Sequence, residues 1–149
     1  MESIRYVRKT DLARNTRRVI RDVQRGQTAV VESHGQPEVA IMDIVDYRIQ
    51  RAFIYYYTQD PAVSENDDVS DQAFASISDE QARYDRVLAY YLAELISLGR
   101  AAELLDLPPF DLRLRFSRLG IPLRLGPRSM EELEEEVRNA ELWANQKRR

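Results

Sequence analysis

Arginine is the residue type whose spacing in this chain points most directly to chemistry. Five arginines recur within KTDLARNTRRVIRDVQRG, residues 9–26, and share one sector when the segment is wound at about 100° per residue. They are Arg14, Arg17, Arg18, Arg21 and Arg25. Arginines on one helical face can neutralise phosphates and bond guanine edges in the major groove. Only Asp22 interrupts this face, whereas a merely solvated face usually mixes signs, so the pattern favours nucleic-acid binding.

Catalytic chemistry has little support in the composition. The chain has no cysteine, and His34 is its single histidine, so thiolate sites, cysteine nucleophiles and histidine metal clusters are excluded. The carboxylates lie in polar runs, and no glycine-rich phosphate loop occurs. We therefore expect no enzyme, no catalytic residue, no metal and no cofactor. A nuclease with a metal site at Asp67-Asp68 and Asp71 is the remaining enzymatic alternative.

The arginine segment must be positioned by elements around it. Residues 3–7 are β-prone, and Thr10 and Gly26 are plausible ends of one helix that buries a second set of residues. These are Leu12, Thr16, Val19, Ile20 and Val23, at helical spacing. Residues 28–32 and 38–42 are predicted strands, and another helix carrying Tyr47 follows. The order is β-α-β-β-α, with His34-Gly35 in the turn between two strands.

The second half has a different character. Residues 58–82 are acidic and rich in small side chains, which predicts a linker. Helices are predicted over 84–96, 98–105 and 109–119, and the last two, joined by a three-residue turn, have the helix-turn-helix layout. Three arginines on the second of these helices suit DNA, although many such layouts never touch it. They are Arg113, Arg115 and Arg118.

A glutamate-rich helix is predicted at the end of the chain. Its apolar residues recur at helical spacing and could anchor it in the groove of a partner or on its own domain. The proposed partner-binding set is Met130, Leu133, Val137 and Trp143. Residues 1–58 carry ten basic against seven acidic side chains, and residues 59–149 carry twelve against eighteen. The two halves therefore suit different partners.

Hydropathy places the chain outside a membrane. Apolar runs such as residues 52–57, which is six residues long, are far too short to span a bilayer core of about 30 Å. The first residues are charged and lack the apolar segment of a secretory signal. We expect a soluble cytoplasmic protein without a membrane partner.

The N-terminal residues resemble the Phd/YefM antitoxin family. The resemblance covers residues 1–57 and rests on Leu12, Arg14-Asn15, Gly26, His34-Gly35-x-Pro37 and Ile44…Tyr47. It implies an N-terminal β-α-β-β-α domain that forms a homodimer and binds double-stranded DNA of its own promoter. Ser33 and Gln36 stand where the family has basic residues. We therefore predict DNA contacts only for residues of the helix and of the segment before it. They are Arg5, Arg8, Lys9, Arg14, Asn15, Arg17, Arg18 and Arg21.

The second half is similar to a family of small uncharacterised helix-turn-helix proteins. The segment ISLGRAAELLDLPPFDLRLRFSRLGIP carries this resemblance, and Asp106 stands where that family usually has glycine. Genes of that family often neighbour those of PIN-domain ribonuclease toxins, so the resemblance implies a toxin partner of this class. It leaves open whether the domain binds DNA or the toxin.

Together these observations predict an α+β chain in three parts: a Phd/YefM-like domain over 1–57, an acidic linker over 58–82 and an all-α helix-turn-helix-like domain over 83–149. The expected function is that of an antitoxin, which represses its own promoter as a dimer and neutralises a co-encoded toxin through its C-terminal half. The alternative is a stand-alone transcriptional regulator without a toxin, in which both domains touch DNA.

Overall fold

The computed structural model describes residues 3–123 and 130–146, except the side chains of Met130, Glu132 and Leu133. In these ranges the chain is a mixed α+β protein. The elements are β1 (Ser3–Arg8), α1 (Lys9–Arg14), α2 (Thr16–Gln24), β2 (Gln27–Ser33), β3 (Gln36–Ile41), α3 (Ile44–Gln59), α4 (Asp71–Ala75), α5 (Glu80–Leu92), α6 (Leu98–Leu104), α7 (Pro109–Leu119) and α8 (Met130–Gln146). The chain divides into two compact units, Met1–Tyr47 and Arg48–Arg149.

The first unit is built on a three-stranded sheet in the order β1-β2-β3. Strand β1 pairs with β2 in parallel, with Val7 beside Val31, and β2 pairs with β3 in antiparallel orientation. Two parallel neighbouring strands need a crossover connection, and α1 and α2 supply it. The parallel pairing of β1 and β2 therefore explains why both helices lie between these strands along the chain.

The sheet buries one face and leaves the other open. The core contains Val7 and Ala29 from the strands and Val19 and Val23 from α2, with Leu12 and Ile41 packed at its margin. Because side chains alternate along a strand, Ile4 and Tyr6 point to the opposite face, and both are exposed. Tyr6 lies beside Val30, which in turn lies beside Ala40.

The single helix predicted between Thr10 and Gly26 is divided in the structure. Asn15 separates α1 from α2 with φ of −126° and ψ of 36°, values outside the helical region. Of the predicted apolar positions, Val19 and Val23 are buried, while Thr16 and Ile20 are exposed. Because the helix is interrupted at Asn15, residues before and after it do not follow one rotation of 100° per residue. The helical face predicted from the sequence therefore applies only within α2.

The hairpin forms where the sequence predicted it, with a shorter loop. Ser33 pairs with Gln36, so only His34 and Gly35 lie between β2 and β3. Both have positive φ, 50° and 74°, as in a type I′ turn, whose twist matches that of the flanking strands. Histidine has a Cβ and occupies this region uncommonly, whereas glycine reaches it without steric cost.

The second unit is helical and includes most of α3. Its core is formed by α5, α6 and α7, where Val87, Leu88, Leu112 and Phe116 are fully buried and the Tyr91 ring packs against Phe116 with centroids 5.2 Å apart. The sequence placed the boundary after residue 57, but the first unit ends at Tyr47. No helix among the described residues is long and apolar enough to cross a membrane.

The segment expected to be a linker belongs to the second unit. Phe74 of α4 is buried with its ring edge toward Tyr90, and the Arg100 guanidinium donates to the Val69 carbonyl oxygen at 2.7 Å. Tyr90 Oη also donates to Asp67 Oδ2 at 2.8 Å. The two hydrogen bonds join residues 31 and 23 positions apart, which the local composition could not indicate.

Candidate nucleic-acid interface

The arginines of α1 and α2 form an exposed basic face. All five predicted members are exposed: Arg14, Arg17, Arg18, Arg21 and Arg25. Among the residues that the structure describes, none of the five forms an ion pair. A shallow recess at the junction of the two helices is lined by Ala13, Arg14, Asn15, Thr16, Arg17, Arg18 and Arg21. Exposed guanidinium groups of this kind can bond phosphate oxygens.

One of the two acidic residues of this segment, Asp22, is neutralised from the sheet. Arg5 of β1 donates a hydrogen bond from its guanidinium to Asp22 Oδ2 of α2 and forms an ion pair with it. The Asp22 side chain is 22% exposed. Asp11 of α1 is then the one exposed carboxylate of this segment, against five exposed arginines, and the same ion pair ties α2 to β1.

Other predicted DNA contacts have different environments. Arg5 is engaged by Asp22, and Lys9 forms an ion pair with Glu38 of β3, so both cations have internal partners. Arg8 is exposed, and Asn15 lies exposed at the break between the helices. The structure thus brings Arg14, Asn15, Arg17, Arg18 and Arg21 around one recess. Arg5 and Lys9 do not line this recess, and each is paired with a carboxylate.

No family model, no curated protein and no solved structure matches the chain.

Helix α7 of the second unit does not gather its arginines on one exposed face. Arg115 Nε donates to Asp111 Oδ2 at 2.9 Å, and its side chain is only 13% exposed. Arg118 is half-buried and already interacts with another group of the protein, whereas Arg113 is exposed. The outer surface of α7 carries Phe110, 71% exposed, and Leu114, 47% exposed.

The C-terminal helix α8 packs on α6 at Gly99. A Cβ built at Gly99 would lie 3.2 Å from Asn139 Nδ2 and 3.5 Å from Glu136 Cγ, so the two helices approach closely there. Of the predicted partner-binding residues, Val137 is 50% exposed and Trp143 is half-buried. The side chains of Met130 and Leu133 lie outside the described residues.

The aspartates considered for a metal site are held by separate donors. Asp67 accepts from Tyr90 Oη and from Ser64 N, Asp68 accepts from Ser70 N, and Asp71 pairs with Arg100. The hydrogen bond from Tyr90, followed by that from Ser64, lowers the pKa of Asp67. Within the described part of the chain, no three histidine, cysteine or acidic side chains are grouped to hold a metal ion.

Two features of the second unit were missed by the sequence argument. The apolar surface of α7 could have been found from the i, i+4 spacing of Phe110 and Leu114, opposite the buried Leu112 and Phe116. The second is the buried Asn139, which had no local sequence signal because its environment comes from α6.

Proposed function

We propose that this protein is the antitoxin of a toxin–antitoxin pair. Its first unit binds double-stranded promoter DNA as a homodimer and represses its own operon. Its second unit neutralises a co-encoded toxin, for which a PIN-domain ribonuclease is the favoured class. The observation that carries the proposal is the exposed basic face of α1 and α2, whose arginines have no ion pair among the described residues.

The DNA-binding part follows from charge and shape. A helix fits the major groove, and arginine is suited both to bidentate base contacts and to phosphates. Arg14, Arg17, Arg18 and Arg21 line one recess, and Arg5 neutralises Asp22 beside them. The sequence likeness of residues 1–57 to Phd/YefM antitoxins supports the same assignment.

The homodimer is supported by the open face of the sheet. Tyr6 is 61% exposed and Ile4 is 52% exposed, on a face where Val30 and Ala40 extend the apolar surface across all three strands. An apolar sheet face exposed to water favours association with a second copy. Dimerisation would also present two basic helices, which matches the two-fold symmetry of typical operators.

A protein partner for the second unit is supported by its charge and by α7. Residues 59–149 carry eighteen acidic against twelve basic side chains, which suits a partner that itself binds polyanions such as RNA. The exposed surface of α7 presents Phe110 and Leu114, and apolar anchors of this kind are typical of protein interfaces. In a stand-alone regulator with two DNA-binding domains, this surface would be expected to carry arginines.

The DNA-binding proposal is tested with the full chain and the DNA upstream of its own gene. Binding is measured across a salt series for the wild type, Arg17→Ala, Arg18→Ala and the double variant. Each lost phosphate contact should flatten the slope of log K against log salt by about 0.9. Arg113→Ala is the matched control because Arg113 is exposed and forms no ion pair among the described residues. Equal loss in the control, or none in the α2 variants, contradicts the assignment.

The toxin-binding proposal is tested through gene context and co-expression. The product of a small gene adjoining this one is produced with and without the full chain, and growth and co-purification are measured. An antitoxin restores growth and co-purifies with that product. Promoter binding in the absence of any adjoining gene or growth effect would instead support the stand-alone regulator.

A further inference from the structure

Helix α8 packs on α6 with a side that is not its most apolar one. Asn139 of α8 is 5% exposed and, together with Glu136, lies against Gly99 of α6. Trp143, one turn beyond Asn139, is on the same side and is half-buried. Val137, by contrast, is 50% exposed, and at about 100° per residue it lies on the side of α8 that points away from Asn139. The helix therefore leaves an apolar side exposed.

The exposed side of α8 has the residue spacing of a coiled-coil helix. Its apolar residues recur at alternating intervals of three and four positions, which places them at positions a and d of a heptad. They are Met130, Leu133, Val137, Ala140 and Ala144, and we refer to them as the α8 seam. Ala140 and Ala144 are exposed like Val137, whereas the side chains of Met130 and Leu133 lie outside the described residues. Apolar residues at this spacing are suited to pack lengthwise against another helix.

A groove borders the α8 seam. It has a volume of about 230 Å³ and lies between α8 and the first turns of α6 and α7. Its lining residues are Leu98, Gly99, Pro109, Phe110, Arg113 and Glu136. Glu136 is one turn before Ala140 of the seam, and Phe110 of α7 is 71% exposed. A helix that lies on the seam can therefore insert one large apolar side chain beside Phe110.

Glutamates flank the α8 seam on both sides. Glu134 and Glu141 occupy heptad position e and Glu136 occupies position g, the positions that form charge pairs across a coiled coil. Glu134 and Glu141 are exposed, and Glu136 is half-buried. Within the described part of the chain, none of the three forms an ion pair. The seam therefore has acidic borders whose charges are available to a partner.

The flanking charges select against a second copy of α8 as the occupant. In a parallel pair, position g faces position e of the next heptad, so Glu136 of one copy would meet Glu141 of the other. In an antiparallel pair, e faces e and g faces g, so glutamate again meets glutamate. Like charges in contact destabilise such a pair. A helix with lysine or arginine at these positions is instead attracted to both borders.

We propose that the α8 seam binds one amphipathic helix of a protein partner, whose apolar face is bordered by lysine or arginine. The basic side chains pair with Glu134, Glu136 and Glu141, and a large apolar side chain enters the groove beside Phe110. This binding mode rests on the proposed toxin-binding role of the second unit and deepens it by naming the chemistry of the partner segment. A protein that binds RNA carries positive charge of the kind required.

The test uses the purified full chain, without DNA or toxin, and two synthetic helical peptides. Both carry fluorescein and have leucine at positions a and d of three heptads. One peptide has lysine at positions e and g, and the other has glutamate there. Fluorescence anisotropy at low salt measures binding. We expect the lysine peptide to bind with Kd on the order of 100 μM and the glutamate peptide at least tenfold more weakly.

Charge-reversal variants locate the binding. Glu134→Lys combined with Glu141→Lys should invert the preference, so that the glutamate peptide binds at least fivefold more tightly than the lysine peptide. Glu65→Lys combined with Glu131→Lys is the matched control, because it makes the same change in net charge at exposed carboxylates outside positions e and g. The control pair should still prefer the lysine peptide.

The apolar contacts are tested separately. Val137→Ser and Phe110→Ala should each weaken binding of the lysine peptide at least threefold. Both side chains are largely exposed, so neither substitution should disturb the fold. Leu142→Ser is the control, because Leu142 is 53% exposed but occupies position f, on the side of α8 away from the seam. It should leave the binding of the lysine peptide unchanged.

Three results would overturn this binding mode: no binding of the lysine peptide, equal binding of both peptides, or the same inversion of preference in the control pair as in the seam pair. Because no toxin is present, these results leave the proposed antitoxin function to its own growth test. Conversely, a failed growth test would not remove a measured preference for the lysine peptide.

Discussion

The guanidinium of Arg5 on β1 binds the carboxylate of Asp22 on α2. The two residues lie 17 positions apart, and the contact links the strand to the helix that carries the basic face. It also neutralises the carboxylate of Asp22 beside that face. One ion pair therefore serves both the packing of the first unit and its electrostatic surface.

Asp22→Asn should change DNA affinity and stability in opposite directions. Loss of the negative charge releases Arg5 and should strengthen promoter binding by about 1 kcal/mol, the scale of one exposed charge pair in water. Loss of the partly exposed ion pair should lower the free energy of unfolding by about 0.5–1 kcal/mol. Binding isotherms at low salt and urea unfolding measure the two effects. Weaker DNA binding by this variant would argue against the basic face as the interface.

The open sheet face predicts that one substitution disrupts self-association. Tyr6→Asp places a charge in the centre of the exposed apolar surface formed with Ile4 and Val30, where a second copy would bury it. Sedimentation equilibrium should show a dimer for the wild type and a monomer for the variant. Val39→Lys is the control, because Val39 is 56% exposed, against 61% for Tyr6, but lies on the opposite face, beside Val31. A dimer that survives Tyr6→Asp would place the interface elsewhere.

The hairpin turn predicts different effects at its two positions. Gly35→Ala should lower the free energy of unfolding by about 1–2 kcal/mol, because alanine disfavours positive φ and no atom lies within 4 Å of the added Cβ to compensate. His34→Asn should be neutral or slightly stabilising, because asparagine suits the first position of a type I′ turn. Urea unfolding measures both. A large loss of DNA binding in folded His34→Asn would give this histidine a functional role that its position does not indicate.

The hydrogen bond from Tyr90 to Asp67 predicts a pH-dependent stability difference between the wild type and Tyr90→Phe. The Tyr90 and Ser64 hydrogen bonds lower the pKa of Asp67, so the stabilisation is present above the unfolded pKa of 3.8 and is lost as pH falls through the folded value. Burial, and then the bond to Asp67, raises the pKa of Tyr90. Its contribution is therefore present below the unfolded pKa of 10.0 and is lost as pH rises through the folded value.

The wild type should accordingly be more stable than Tyr90→Phe between about pH 4 and pH 10, with the difference shrinking at both ends. Urea unfolding followed by circular dichroism over this pH range provides the measurement. Asp67→Asn should reduce the acidic dependence in the same way. A difference that stays constant from pH 2 to about pH 7 would show that Tyr90→Phe acts through packing alone.

Local sequence patterns were sufficient to predict several structural features of the molecule. The 3.6-residue periodicity of α2 predicted that Val19 and Val23 are buried and that the arginines are exposed. A helix at the surface packs its apolar side against the core and exposes the opposite side to water. The valine-rich runs around His34-Gly35 predicted the hairpin, since few residues tolerate the positive φ of its turn. The burial of Leu112 and Phe116 in α7 likewise agrees with their i, i+4 spacing.

Tertiary structure alone decided which charges are free. Arg5 and Lys9 resembled the other basic residues in the sequence, but their partners Asp22 and Glu38 reach them only after β1, α2 and β3 assemble. The acidic composition of residues 58–82 predicted a linker, whereas Tyr90 and Arg100 provide donors that hold it in the second unit. Composition and periodicity describe what each segment prefers by itself. Pairing of charges and burial of Asn139 depend on residues distant in sequence, and only the folded chain brings these together.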